Sequence, residues 1–137
     1  MDEADSKIID ILRRDSRTSF IDLGKSVSLS EGAVRNRVKN LMREGIIMRF
    51  TIETQIGGGV KAIVLVSSDP AIPTPTIAAR VRSISGVEAV YEVTGQYDLT
   101  AVLVGDDITS LNKTIEGIRR IDGIHNTNSL IVLKNWY

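Results

Sequence analysis

Apolar residues in the first third of the chain recur with the period of a helix. Ile8, Ile9 and Leu12 predict an amphipathic helix starting near Asp5, with Asp2, Glu3 and Asp5 at its positive end and Arg13 and Arg14 near its negative end. Ser16 to Ser19 is a polar break. Phe20, Leu23 and Val27 then mark a short second helix ending near Ser26. Only Val27 to Leu29 separates it from a third. In Leu29 to Gly45, Val34, Val38, Leu41 and Met42 line one face, while Arg35, Asn36, Lys39 and Arg43 fall opposite. Ser30 can cap the start and Gly45 can take the left-handed position past the end. Two helices joined by so short a turn predict a helix-turn-helix, in which the second lies in the DNA major groove. The run Ile46 to Ile52 is rich in β-formers and suits the wing of a winged helix.

Beyond residue 60 the pattern changes to short apolar strands alternating with helices. The glycines Gly57, Gly58 and Gly59 read as a joint, since no Gly-Lys-Ser/Thr follows them as a phosphate loop requires. Strand cores fall at Ala62 to Val66, Ala101 to Val104 and Leu130 to Leu133. Helix stripes fall at Ile77, Val81 and Ile84, and at Leu111, Ile115 and Ile118. An internal repeat sets Val81-Arg82-Ser83-Ile84-Ser85-Gly86-Val87 against Ile118-Arg119-Arg120-Ile121-Asp122-Gly123-Ile124. Each copy ends a helix with Gly at the cap and enters a strand. The order is βαββαβ, the ferredoxin-like arrangement, so the fold class is α+β. The domain boundaries read 1–52 for the helix-turn-helix, 53–60 for the glycine-rich linker and 61–137 for the second domain. Its strands are apolar on both faces, which predicts that a second copy covers the sheet.

Charge sharpens the reading of the third helix. The chain is formally neutral, with 17 basic and 17 acidic residues in 137. Residues 1–50 hold ten Lys and Arg against eight Asp and Glu, a net of +2, and the remainder is −2. Arg35, Arg37, Lys39 and Arg43 have no acid among them, a local positive stripe of the kind that meets phosphate. With no cysteine there is no disulfide frame, thiol nucleophile or cysteine-ligated metal. No apolar run approaches a membrane span, and Met1-Asp2-Glu3 lacks the basic start of a secretory signal, so a cytoplasmic protein is expected. The single histidine, His125, and the absence of hydrolase or metalloprotease motifs give no basis for catalysis; no cofactor or metal is expected.

Leu29-Ser30, followed by Val34, Arg37, Val38, Leu41 and Gly45-Ile46-Ile47, resembles the DNA-binding signature of the leucine-responsive and asparagine-responsive regulators, the Lrp/AsnC or feast/famine family. The opening Met1 to Asp5 with Ile8 and Ile11-Leu12 is similar to that family's first helix, and the likeness spans essentially the whole chain. It implies a sequence-specific transcription regulator binding double-stranded DNA through Ser30, Glu31, Gly32, Arg35, Asn36, Arg37, Lys39 and Arg43. It also implies a homodimer, with assembly to tetramers or octamers left open. Val93-Thr94-Gly95-Gln96-Tyr97-Asp98-Leu99 reads as a hairpin. It also resembles the Thr-Gly-x-Tyr-Asp motif with which this family holds a small-molecule effector, usually an amino acid. Gln96 stands where many relatives carry an acid. Thr94, Gly95, Gln96, Tyr97 and Asp98 are the implied effector residues, with Asp106 and Asp107 after the next strand and Thr127, Asn128 and Ser129 before the last. Asp98, Asp106 and Asp107 together would suit a basic ligand such as lysine. An architectural, effector-independent DNA binder is the alternative reading.

Overall fold

The computed structural model describes residues 1–53 and 59–136 and divides into two compact units, Met1–Gln55 and Ile56–Tyr137. Most of the expected linker, including Gly57 and Gly58, lies outside the described residues.

The first unit is three helices: α1 (Glu3–Arg14), α2 (Phe20–Val27) and α3 (Glu31–Arg43). Each begins at a side-chain cap that satisfies an otherwise orphaned amide. Asp2 accepts from the Asp5 amide at 2.9 Å while Asp5 accepts from the Asp2 amide at 3.0 Å, a capping box two residues earlier than the apolar stripe suggests. Ser19 caps α2 and Ser30 caps α3. Ile8, Leu12, Leu23, Val34 and Val38 form the core, with Phe20, Val27, Leu29 and Ile47 packed at its margin.

The turn between α2 and α3 depends on Gly24. A Cβ there would lie 2.5 Å from the Leu29 carbonyl oxygen, a backbone atom that cannot swing aside. The Leu29 amide in turn donates to the Gly24 carbonyl at 2.9 Å, and Ser28 takes a left-handed φ of 57°. The close approach is what seats α3 on α2.

Two expectations for this unit are corrected. Met42, assigned to the buried face of α3, is 45% exposed because the core closes on Leu41. Ile46 to Ile52 forms no wing: the segment is not a strand, since no neighbouring strand among the described residues of this unit supplies ladder partners. Ile47 turns inward, while Met48 and Ile52 point to solvent.

The second unit is β1 (Val60–Ser68), α4 (Thr74–Arg82), β2 (Val87–Glu92), β3 (Leu99–Gly105), α5 (Ile108–Arg119) and β4 (Ile124–Ile131). The sheet has the order β2-β3-β1-β4, antiparallel throughout, as the βαββαβ reading requires. Alternate residues Ala62, Val64, Val66, Leu99, Ala101 and Leu103 pack with Ile77 and Val81 of α4 and Leu111, Ile115 and Ile118 of α5. The repeat is visible in the backbone: Gly86 and Gly123 have φ of 90° and 93°. Neither is at the helix cap, however. The helices end at Arg82 and Arg119, and each glycine sits in the turn into the following strand.

The opposite face of the sheet carries Ile63 and Leu65 of β1, Val102 and Val104 of β3, Tyr91 of β2 and Leu130 of β4, by the pleat and the register Ile63↔Val102, Ile63↔Leu130 and Tyr91↔Thr100. Tyr91 and Leu130 are exposed on it. The strand core expected at Leu130 to Leu133 is displaced: β4 ends at Ile131 and Leu133 is 96% exposed. Polar Asn126 to Ser129 form the ladder instead, because an edge strand with one paired neighbour tolerates polar side chains.

Candidate functional site

On α3, Glu31, Arg35, Lys39 and Arg43 follow at i+4 intervals and form one exposed row. Arg35 donates to Glu31 at 2.6 Å and lies 4.8 Å above the centre of the Phe20 ring, so its guanidinium is held up by a face of α2. Lys39 and Arg43 have no charged partner among the described residues. Gly32 and Asn36 lie beside this row; a Cβ on Gly32 would meet nothing within 4 Å. Ser30 is committed to the backbone, accepting from the Ala33 amide at 3.2 Å.

Arg37 sits elsewhere. It points to α1, where its Nη1 lies 2.7 Å from Asp2 Oδ2 and 2.8 Å from Asp5 Oδ1. Hydrogen bonds to Asp5 and then Asp2 raise the Arg37 pKa. The Asp5 amide, and then Arg37, hold the Asp2 carboxyl below its ordinary value. Of the basic stripe, Arg35, Lys39 and Arg43 face outward and Arg37 is tied to a neighbouring helix.

In the second unit the turn 93–98 is closed by the Val93 amide donating to the Asp98 carbonyl at 3.0 Å. Gly95 has φ of 118°, a conformation L side chains rarely adopt, and nothing lies within 4 Å of where its Cβ would be. Thr94 and Gln96 are exposed, with no partner among the described residues. Asp98 is not free. Its Oδ2 accepts from the Ser68 amide at 2.7 Å and from the Ser68 hydroxyl at 3.1 Å, and its own amide donates to the Val66 carbonyl. Asn128 Nδ2 donates to the Tyr97 hydroxyl at 3.5 Å, so the turn and β4 converge.

The remaining candidates divide. Thr127, Asn128 and Ser129 lie within β4, not before it. Thr127 accepts from Arg119 Nε at 3.0 Å, and the Ser129 hydroxyl is buried without a partner among the described residues. Asp106 and Asp107 are at the far end of β3, whose 7 residues at about 3.3 Å each carry them roughly 20 Å from the turn within one chain. Asp107 caps α5, accepting from the Ser110 amide at 2.7 Å, and that bond lowers its pKa. Asp106 is exposed and unpaired among the described residues. His125, the lone histidine, is 3.9 Å from Asp69 on the surface.

Sequence reasoning passed over Gly24 and Ser68, and read Phe20 only as a helix-stripe residue, not as the support for Arg35. Gly24 had a readable signal, a glycine costing about 1 kcal/mol inside a predicted helix. Ser68 had none, because its partner is 30 residues away.

Residues 1–42 match the family model of the AsnC-type helix-turn-helix domain, and residues 61–137 that of the Lrp/AsnC ligand binding domain. The chain belongs to the Lrp/AsnC family of transcription regulators. It is similar to the HTH-type transcriptional regulator LysM of Saccharolobus solfataricus, at 47% identity across 100% of this chain and 96% of that one. Its structure resembles that of Escherichia coli AsnC, with 29% identity, a TM-score of 0.75 and coverage of 98% and 93%. It also resembles a feast or famine regulatory protein of Mycobacterium tuberculosis complexed with L-methionine, with 26% identity, a TM-score of 0.83 and coverage of 99% and 94%. This regulator family binds DNA and is not enzymatic. Among the described residues no helix is long and apolar enough to cross a membrane, and no group of acidic residues and histidine is arranged to hold a metal.

Proposed function

We propose that this chain reads a specific DNA sequence through the outward row of α3 and that its DNA affinity responds to an amino acid held at the Thr94 to Asp98 turn. The observation that carries the reading is the row itself. Arg35 is stacked on Phe20, Lys39 and Arg43 are unpaired, and all three stand on a helix seated by a helix-turn-helix turn. Arg35 and Asn36 are suited to base edges, Lys39 and Arg43 to phosphate. Glu31 orients Arg35, and Ser30 and Gly32 bring the helix start close to the duplex.

The exposed apolar face of the sheet supports a homodimer, which would present two such helices to half-sites about one or more turns apart in a palindromic operator. The effector role draws support from the open backbone at Gly95, the convergence of Tyr97 with Asn128, and the L-methionine bound by the Mycobacterium relative. Lysine is the first amino acid to test. Of the three acids that could attract its ammonium, Asp98 and Asp107 are engaged by the fold and Asp106 alone is unpaired.

The test enriches duplexes from a random pool with the full chain, then titrates amino acids into the selected complex. Selective enrichment and a 5- to 150-fold change in affinity with one amino acid, about 1 to 3 kcal/mol, are expected. Gly95→Val should abolish that response and leave basal DNA affinity unchanged. Enrichment without any response would favour the architectural role; no enrichment would reject sequence-specific binding.

A further inference from the structure

Arg37 differs from its neighbours on α3 in what it touches. Its guanidinium bridges 35 and 32 residues of sequence to reach Asp2 and Asp5, the same two carboxylates that form the α1 capping box. Asp5 is the more enclosed partner, its side chain only 14% exposed, and Arg37 itself is 32% exposed. The bond is therefore sheltered, and it joins the N-terminal turn of α1 to the middle of α3.

That location has a mechanical consequence. The apolar contacts of Val34 and Val38 set how far α3 stands from its neighbours, but a smooth aliphatic stripe permits small rotations about the helix axis. A guanidinium nitrogen held between two carboxylates does not, because its hydrogen bonds are directional. Each residue turns the helix by about 100°, so fixing Arg37 fixes the directions of Arg35, Asn36 and Lys39.

We infer that Arg37 is a positioning residue: bound to Asp2 and Asp5, it sets the rotation of α3 against α1 and so aims the DNA-reading row, and it holds no phosphate itself. This inference rests on the DNA-binding reading above, and the two can fail separately. If the unaltered chain enriches no duplex, that reading fails; if it does and the variants below misbehave, this one does.

The decisive variant is Asp5→Asn, which leaves Arg37 intact. Affinity of the full chain is measured for a duplex enriched by the unaltered protein and for a random-sequence duplex of equal length, across a range of salt, at a temperature where thermal unfolding shows the variant folded. A misaimed row should lose about tenfold on the enriched duplex, little on the random one, and keep its salt slope. Arg37→Met, which removes both bonds, should behave the same way, its salt slope included. In the exchange Asp5→Arg with Arg37→Asp, most of the affinity that Arg37→Asp alone removes should return. The inference is overturned if Asp5→Asn leaves enriched-duplex affinity unchanged or raises it, as a freed phosphate contact would. It is equally overturned if Arg37→Met binds as the unaltered chain does or lowers the salt slope by about one, as loss of a phosphate contact would, or if the exchange binds no better than Arg37→Asp.

Discussion

The outward row of α3 is four charged side chains, while the turn at residues 94–98 offers hydroxyls, an amide and one carboxylate, and the fold treats the two regions differently. On α3 the cap, the core and the link to α1 are supplied by Ser30, Val34, Val38 and Arg37, which leaves Lys39 and Arg43 without a charged partner among the described residues. In the turn, Asp98 spends its carboxylate on Ser68, and Thr94, Gln96 and the Gly95 backbone have no partner among the described residues. A helix satisfies its own backbone and can therefore leave one face idle, whereas the end of β1 takes the Asp98 carboxylate to satisfy the Ser68 amide. The turn thus keeps less free charge than the helix row.

The largest expected effect breaks the support under α3. Gly24→Ala drives a Cβ into the Leu29 carbonyl and should cost roughly 1 to 3 kcal/mol, read as a lower midpoint in urea, with DNA affinity lost as the turn shifts. Asp98→Ala should come next. It strands the half-buried Ser68 amide and should cost about 1 to 2 kcal/mol, whereas Lys39→Ala, which removes nothing the fold uses, should stay within about 0.5 kcal/mol by the same melts. A stability loss for Lys39→Ala equal to that for Asp98→Ala would erase the contrast between the two regions.

How much was legible follows the same division. The helices, the cap at Ser30 and the βαββαβ order are local or periodic properties, and the sequence shows them directly. What escaped was long-range. The helical period sets Arg37 off the row of Arg35, Lys39 and Arg43, but nothing near it names Asp2 and Asp5, its partners 35 and 32 residues away. Nothing near Asp98 announces Ser68. Strand end-points escaped for a related reason: β4 is defined by its ladder to β1, so polar Asn126 to Ser129 are strand and apolar Leu133 is not. The wing was misjudged because β-propensity without a partner makes no strand.

The smallest effect is also the sharpest, since it should move stability and function in opposite directions. Gly32 lies in the first turn of α3, where a Cβ would touch nothing, so the fold gives no steric reason for glycine. Gly32→Ala should therefore raise stability by roughly 0.5 kcal/mol through the unfolded chain's lost freedom. If the start of α3 comes close enough to a duplex for its backbone to be felt, the added methyl should at the same time weaken binding to the enriched sequence. Thermal melts and duplex titrations on one preparation measure both. A variant that is more stable and binds as tightly would mean that Gly32 stands clear of the DNA, and that the reading surface begins further along the helix, at Arg35.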